Sequence, residues 1–351
     1  MDIWSLVITI LVTLLMFGIL IFIHELGHFL VAKACGIKVN EFAMGMGPTL
    51  LKWQGKETKY AIRAFPIGGF VSMEGEDEGS GEINAFCNKP VWKRILVVVA
   101  GPVMNIILGF VILVIFVTMQ PLVGSNVVAK FNDDAVSNQY GLQVGDEILS
   151  INGSGISVDT DIINALLRAE DGIADIDVRR NGEVVHLENV QFQMTETDDK
   201  PAINIDFKVK AIEKNFGSII KMSVNKTISY AKIIWVSLVD IITGNVGINE
   251  LSGPIGVGQV VSQTIQQDLS DVIPSVLNLT AFISINVGIF NFLPFPALDG
   301  WRFFVLIIEA IRRKPIKPKY ESAINLVGLG LLMLLMVFVM FNDVFRLVGG
   351  L

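Results

Sequence analysis

The chain has 351 residues, of which 52% are hydrophobic and 17% are charged, and its mean hydropathy is +0.59. The apolar fraction is higher, and the charged fraction lower, than in an average soluble domain, so we expect an integral membrane protein. The net charge of -7, without a basic stripe interleaved with aromatic residues, argues against binding to nucleic acid.

Four long apolar runs predict membrane-spanning helices. They cover about residues 4–32, 92–118, 273–297 and 322–346, and each contains the roughly 20 residues that a helical span needs. The first run could be mistaken for a signal peptide, but it lacks a basic start and a small-residue cleavage site. We therefore expect it to be retained as a helix.

The first run contains His24-Glu25-Leu26-Gly27-His28, an H-E-x-x-H motif. Positions i and i+4 share one face of a helix, so both imidazoles can reach the same metal ion. Imidazole suits Zn²⁺, and a neighbouring glutamate suits the general base of a hydrolytic zinc enzyme. The alternative is a chance spacing, although two of the three histidines of the chain fall in this motif. The motif predicts a zinc site with Glu25 as general base, inside a membrane-spanning segment.

The orientation follows from the short loops. Seven Lys and Arg residues lie between the first and second runs, with Lys93 and Arg94 at the start of the second, and six lie between the third and fourth. Because cytoplasmic loops carry the excess of Lys and Arg, both loops are expected to be cytoplasmic. The two termini and the long middle region then face outward.

The middle region, about 121–212, is predicted to be a small β-rich domain. Short β-branched segments alternate there with turn signals such as Asn152-Gly153 and Asn181-Gly182. The sequence from Tyr140 to Gly153 resembles the PDZ signature G-L-x-x-G-D-x-I-x-x-I-N-G. PDZ domains bind an extended peptide at a sheet edge, whereas an α/β module without a ligand is the alternative.

The stretch 216–243 mixes apolar residues with lysines. It is expected to form an amphipathic helix that lies in the membrane interface, or a helix that only packs against the protein.

A catalytic zinc site uses about three protein ligands, so the motif needs a third. The remaining histidine, His186, lies in the middle region and is better explained as a solvent-facing strand residue. Cys35 is close in sequence but is better explained as a small apolar filler. Asp299 remains, and it is expected at the inner end of the third span, after two prolines. Counted from the outer end of each span, it lies at a depth similar to that of His24.

The H-E-x-x-H motif, the N-x-x-P-x-P and L-D-G sequences between Asn291 and Gly300, and the PDZ-like region between them resemble the site-2 protease family of intramembrane zinc metalloproteases. The segments 42–48, 60–73, 100–105 and 251–256 match further blocks of the family. The resemblance covers nearly the whole chain. It is closest to the bacterial regulator-of-sigma-E protease branch, which cuts the transmembrane segments of anti-sigma factors and removes remnant signal peptides.

The resemblance implies a polytopic α-helical membrane protein with four transmembrane helices and a membrane-associated β-hairpin, plus one extracytoplasmic PDZ-like α/β domain. The expected parts are an N-terminal membrane core at 1–120 with the hairpin at 58–74, the PDZ-like domain at 121–212, an amphipathic helix and linker at 213–272, and a C-terminal membrane core at 273–351. The expected location is the bacterial inner membrane, with the active site near the cytoplasmic side.

The implied activity is hydrolysis of peptide bonds in or near the transmembrane segments of single-span proteins. Zn²⁺ would be held by His24, His28 and Asp299, with Glu25 as general base. The substrate would be bound by Asn291, Pro66, Gly68, Gly69, Phe70 and Asn105. A tight turn explains Pro66, Gly68 and Gly69 equally well, and a helix-packing hydrogen bond explains Asn105 equally well.

Two other functions are open at this point. The first is a PDZ-bearing membrane adaptor with a structural zinc site, although such a site does not need Glu25. The second is a proton-coupled transporter that uses Asp299 and the histidines, although the sequence shows no repeated halves.

Overall fold

A computed structural model describes residues 3–76, 80–169, 171–196, 201–247, 251–266, 268–314 and 318–349. The helices in these ranges are α1 Ile3–Ala34, α2 Val91–Met119, α3 Asp159–Leu166, α4 Phe216–Thr243, α5 Pro254–Ile265, α6 Leu269–Asn291, α7 Asp299–Arg312 and α8 Pro318–Gly349. The strands are β1 Val39–Gln54, β2 Lys59–Met73, β3 Val123–Phe131, β4 Glu147–Ile151, β5 Ser154–Gly155, β6 Ile173–Arg180, β7 Glu183–Gln191, β8 Gln193–Glu196, β9 Pro201–Asn204 and β10 Phe207–Ile212.

The chain forms two compact units. The first combines Met1–Ile112 with Ile234–Leu351, and the second is Leu113–Ile233. Four of the described helices, α1, α2, α6 and α8, are long and apolar enough to cross a membrane, which confirms the four predicted spans. The third ends earlier than predicted, at Asn291 instead of 297, because Pro294 and Pro296 cannot continue the helix.

Glycines allow the helices of the first unit to pack closely. A Cβ on Gly27 of α1 would lie 2.5 Å from the carbonyl oxygen of Ala100 in α2. A Cβ on Gly288 of α6 would lie 2.9 Å from the carbonyl oxygen of Pro102 in α2. Small residues at such crossings let membrane helices gain van der Waals contact without a hydrophobic driving force. The packing places α2 between α1 and α6.

The strands β1 and β2 are long and fold back on themselves. Residues 41–44 of β1 pair with 59–62 of β2 on one side and with 69–72 of β2 on the other. The bends need left-handed backbone, which Gly47 and Gly68 provide with φ of +85° and +77°. The predicted range 58–74 covered only the second strand. It was wrong at its start, because the hairpin begins at Val39.

A charged cluster ties the folded-back hairpin together. Glu41 accepts hydrogen bonds from Lys59 Nζ at 3.0 Å and from Arg63 Nη2 at 2.9 Å. Burial alone would raise the pKa of Glu41, but these two cations outweigh it and hold the pKa below its ordinary value.

Two helices of the first unit were not predicted, namely α5 and α7. Helix α5 begins with Pro254 at its first turn, and its free N–H groups are capped from another helix. The buried carboxylate of Asp343 in α8 accepts hydrogen bonds from Gly253 N at 3.0 Å and from Gly256 N at 2.8 Å. Asp343 thereby fixes the start of α5 against α8.

The second unit contains an antiparallel sheet in the order β10-β3-β4-β6-β7, with β5 beside β4. Its core includes Leu142, Ile148, Ile151 and Ile176, all fully buried. The Asn152-Gly153 turn has φ of +48° and +74°, as expected for a tight hairpin turn. The β-rich domain predicted for the middle region is therefore present, and its identity as a PDZ domain stays a prediction.

One edge of β3 in this sheet is covered by a later strand of the same chain. Strand β10 pairs with β3 from Phe207 opposite Phe131 to Ile212 opposite Val123. In the described part of this sheet, the outer strands are therefore β10, β7 and the two-residue β5. Of these, only β10 and β7 are long enough to pair with an added peptide over several residues.

Helix α4 occupies the stretch 216–243, where a helix was predicted. Within the second unit, its first half is attached to the start of α3. Lys226 Nζ lies 3.0 Å from Asp159 Oδ1, and Ser229 Oγ donates to Asp161 Oδ1 at 2.6 Å. Lys226 is buried, so this half of α4 packs against the protein, as one of the two predicted alternatives required. A position in the membrane interface stays a prediction.

Candidate metal centre

Three predicted ligands converge in the first unit. His24 Nε2 and His28 Nε2 are 3.2 Å apart, and Asp299 Oδ2 lies 3.1 Å from the first and 3.3 Å from the second. In a tetrahedral zinc site with bonds of about 2.0–2.1 Å, two ligand atoms are about 3.3–3.4 Å apart. Asp299 Oδ2 is buried and has no hydrogen-bond partner among the described residues, as expected of an atom placed for a metal. The three side chains therefore fit Zn²⁺.

Helix α2 orients the imidazole of His28. His28 Nδ1 lies 2.8 Å from the carbonyl oxygen of Val97. A carbonyl oxygen can only accept, so Nδ1 carries the proton and Nε2 keeps the lone pair that a metal needs. Pro102 in the same helix lacks an N–H, so the neighbouring carbonyl oxygen of Val98 receives no helical hydrogen bond from position i+4.

Asp299 is positioned by the break between α6 and α7. It is the first residue of α7, where the partial positive charge of the helix N-terminus favours a carboxylate. A Cβ on Gly300 would lie 2.3 Å from the carbonyl oxygen of Leu293, so only glycine allows α7 to begin so close to the end of α6. Just before it, Ala297 has a φ of +76°, an unfavourable conformation for a residue with a Cβ. The prediction that Asp299 ends the third span was wrong, since it begins a separate helix.

Glu25 lies in the same cavity as the three candidate ligands. The cavity has a volume of about 280 Å³, and β2, α2, the end of α6 and the start of α7 contribute to its wall. A Cβ on Gly69 of β2 would lie 2.9 Å from Glu25 Cγ, so the strand passes directly beside the glutamate. The cavity thus combines a metal-ligand set, a carboxylate and a strand.

Only some of the predicted substrate-binding residues line the cavity. Gly69, Phe70 and Asn291 line the cavity. Gly68 forms the bend before them, and the side chain of Pro66 lies outside the described part of the structure. Asn105 is fully buried in α2, and its amide contacts His24 Nδ1 at 3.3 Å. Contact of these residues with a substrate stays a prediction.

The part of β2 beside the cavity is an edge, which we call the cavity-edge segment (residues 69–73). Its residues 69–72 pair with β1 on one side, and among the described residues no strand pairs with the other side. Residues 59–62 are covered on both sides by β1, so only the later part of β2 has a free edge at the cavity.

Several residues at the centre were not predicted from the sequence. Arg302 Nη1 binds Glu76 Oε1 at 2.6 Å, its Nη2 donates to the carbonyl oxygen of Glu76 at 2.6 Å, and its guanidinium lies 4.8 Å from the ring centre of Phe86. Both Arg302 and Glu76 line the cavity. Arg302 could have been predicted from the sequence, because it lies three residues after Asp299 and residues at this spacing share a helix face.

Comparison with known proteins agrees with this arrangement. The family model described as peptidase family M50 matches residues 12–335. The regulator of sigma-W protease RasP of Bacillus subtilis is 30% identical, over 97% of this chain and 99% of its own. The zinc metalloprotease RasP of Bacillus licheniformis is 31% identical, over 97% and 99%. A Clostridium acetobutylicum protein, named as a candidate zinc metalloprotease, is 36% identical over 95% and 97%. The chain therefore belongs to peptidase family M50, the site-2 protease family, and is a zinc metalloprotease.

Proposed function

We propose that this metalloprotease is an intramembrane endopeptidase of the regulator-of-sigma-E and RasP branch. It would cut in or near the transmembrane segments of single-span proteins, such as anti-sigma factors and remnant signal peptides, during regulated intramembrane proteolysis. The observation that carries the proposal is the convergence of His24, His28 and Asp299 beside Glu25. His24 is 21 residues into α1, or about 32 Å along the helix, which would place it far from the membrane face at which α1 begins.

The roles of the four residues follow from their chemistry. His24, His28 and Asp299 hold the zinc ion through two neutral nitrogens and one carboxylate oxygen. Bound zinc supplies a Lewis acid that polarises the scissile carbonyl and acidifies water. Glu25 accepts the proton of the attacking water and delivers it to the leaving amine nitrogen. A glutamate beside the ligands, and not among them, supports a catalytic site over a structural one.

The substrate is proposed to bind as a strand. A transmembrane helix hides its peptide bonds within its own hydrogen bonds, so the helix has to unwind before a bond can be attacked. The cavity-edge segment offers free backbone groups next to Glu25, and an unwound segment can pair with them by β-augmentation. Asn291, at the end of α6, lines the same cavity and would hydrogen-bond the substrate backbone.

The PDZ-like region is proposed to select substrates by peptide binding or by size. It would lie outside the cell together with both termini, and the active site would lie near the cytoplasmic side of the bacterial plasma membrane. The loop charges support this orientation. Four spans would also bring both chain ends to the same side of the membrane, which is consistent with this orientation.

The test is cleavage of a purified single-span substrate in liposomes by the wild type and by Glu25→Gln. The variant keeps the size of the side chain but cannot act as a base, so cleavage should fall by at least 100-fold while zinc stays bound. Glu57→Gln serves as the control, because Glu57 is exposed and contacts Lys33. Equal cleavage by the wild type and Glu25→Gln would refute the proposal. An adaptor with a structural zinc site, or a transporter, would show no cleavage by either protein.

A further inference from the structure

Asn105 lies where it can control the orientation of His24. It is in α2, and its side-chain amide is the hydrogen-bonding partner of His24 Nδ1 in the described structure, at 3.3 Å. Asn105 is fully buried, so water does not compete for this contact. Its backbone is also fixed, because Ser284 Oγ in α6 donates to the carbonyl oxygen of Asn105 at 2.7 Å.

The direction of the amide determines which nitrogen of His24 carries the proton. With Nδ2 facing His24, the amide can only donate, so His24 Nδ1 must carry the lone pair. Asn105 Oδ1 then points to a buried place without a hydrogen-bond partner in the described structure. The oxygen and nitrogen of an amide have nearly the same shape, so a half-turn brings Oδ1 to His24 without changing the packing.

Metal binding requires the turned amide. His24 Nε2 is the atom that faces His28 Nε2 and Asp299 Oδ2, so this nitrogen has to offer its lone pair to a metal. A neutral imidazole then has its proton on Nδ1, and that proton needs an acceptor. Asn105 Oδ1 is the acceptor within reach.

The two histidines of the motif are then oriented in the same way by α2. His28 Nδ1 is held by the carbonyl oxygen of Val97, and with the amide turned His24 Nδ1 would be held by the amide oxygen of Asn105. The first acceptor belongs to the backbone and is independent of side-chain identity. The second is a side chain, so a single substitution can remove it.

We propose that Asn105 is a positioning residue that holds His24 with its proton on Nδ1, so that Nε2 is free for zinc. The inference rests on the proposed function of His24 as a zinc ligand, and it differs from the predicted role of Asn105 in substrate binding. Asn105 acts through His24 and does not touch the reacting atoms.

The experiment uses the full-length protein in detergent micelles, with zinc titrated against a chromophoric chelator. Asn105→Leu keeps the size of the side chain but removes the acceptor, and it should weaken zinc binding by about 10–100-fold. Asn105→Asp keeps an acceptor and should remain within about threefold of the wild type. Ser284→Ala, which contacts only the backbone of Asn105, is the matched control and should also remain within about threefold.

A spectroscopic readout separates orientation from general packing. The chain has only three histidines, so ¹⁵N-histidine labelling gives few NMR signals, and His186→Gln identifies one of them. In the zinc-loaded wild type and in Asn105→Asp, the His24 proton should be on Nδ1. In metal-free Asn105→Leu, the His24 signals should change while the His28 signals stay.

Two results would overturn the inference. Zinc affinity of Asn105→Leu within threefold of the wild type would show that the acceptor is not needed. An equal loss in Asn105→Leu and Asn105→Asp would show that an acceptor at this position is not sufficient, because both variants lack the amide Nδ2 and only Asp keeps an acceptor. Absence of zinc binding by the wild type would instead refute the proposed function on which the inference rests, so the two failures are distinguishable.

Discussion

The substitution Gly101→Ala should disrupt the metal centre although Gly101 is neither a ligand nor part of the motif. A Cβ at this position of α2 would lie 2.3 Å from His28 Nε2 and 2.8 Å from His24 Cε1. Comfortable contact between such atoms needs about 3.5 Å, so the imidazole of His28 would have to move by about 1 Å. His28 cannot rotate away freely, because its Nδ1 is held by the carbonyl oxygen of Val97.

The displacement is large compared with what a zinc site tolerates. Ligand distances in such sites are kept within about 0.2 Å, so a shift of about 1 Å removes one of three protein ligands. Loss of a ligand should reduce zinc affinity by more than the roughly 10–100-fold expected for a residue behind the ligands. Ala also has a higher helix propensity than Gly and stabilises a helix interior by roughly 0.5–1 kcal/mol. The substitution should therefore not destabilise α2 through its helix propensity.

The assay is zinc competition with a chelator on the purified protein, followed by substrate cleavage. Gly18→Ala is the matched control, because a Cβ on Gly18 in α1 would have no heavy atom within 4 Å. The control should keep zinc and activity. If Gly101→Ala kept zinc affinity within twofold and cleaved at the wild-type rate, the inferred crowding of the imidazoles would be refuted.

Three further predictions concern the surroundings of the site and the second unit. Arg302→Ala should lower stability by about 2 kcal/mol, since it removes two hydrogen bonds to Glu76 and a cation–π contact; an unchanged melting temperature would contradict this. Ala297→Gly should raise stability by about 1 kcal/mol by relieving the left-handed backbone, and a lower melting temperature would be evidence against strain there. The hydrogen bond that His186 Nδ1 donates to Asp177 Oδ1 raises the pKa of His186, so the stabilisation it gives is fully present below about pH 6.5 and is lost as pH rises through the raised value. In NMR titration Asp177→Asn should lower the pKa of His186, and an unchanged pKa would exclude this cause.

The sequence was most informative where chemistry and periodicity coincide. The spacing of His24 and His28 predicts two ligands on one helix face, and the apolar run around them predicts a span. The depth of Asp299 in the third run pointed to the third ligand, and the structure brings all three donor atoms within 3.3 Å of one another. These inferences required only helix geometry.

The sequence was less informative about features that depend on backbone geometry, such as where a helix ends and how a hairpin folds back. Hydropathy stays high across Pro294 and Pro296, so the end of α6 and the separate helix α7 were missed. The first hairpin strand contains glycines and a proline that predict a turn, and its folding back depends on pairing with distant residues. The carbonyl of Val97 and the missing Cβ of Gly101 carry no side-chain signal at all.

The distance along the chain between the ligands has a consequence for synthesis. His24 and His28 leave the ribosome about 270 residues before Asp299, which at about 5–20 residues per second is roughly 15–55 seconds. During that time the nascent protein has two of its three candidate ligands and no start of α7. A chain truncated before α7 would be inert, so a cell that interrupts translation of this protein would not release a partly built protease into its membrane.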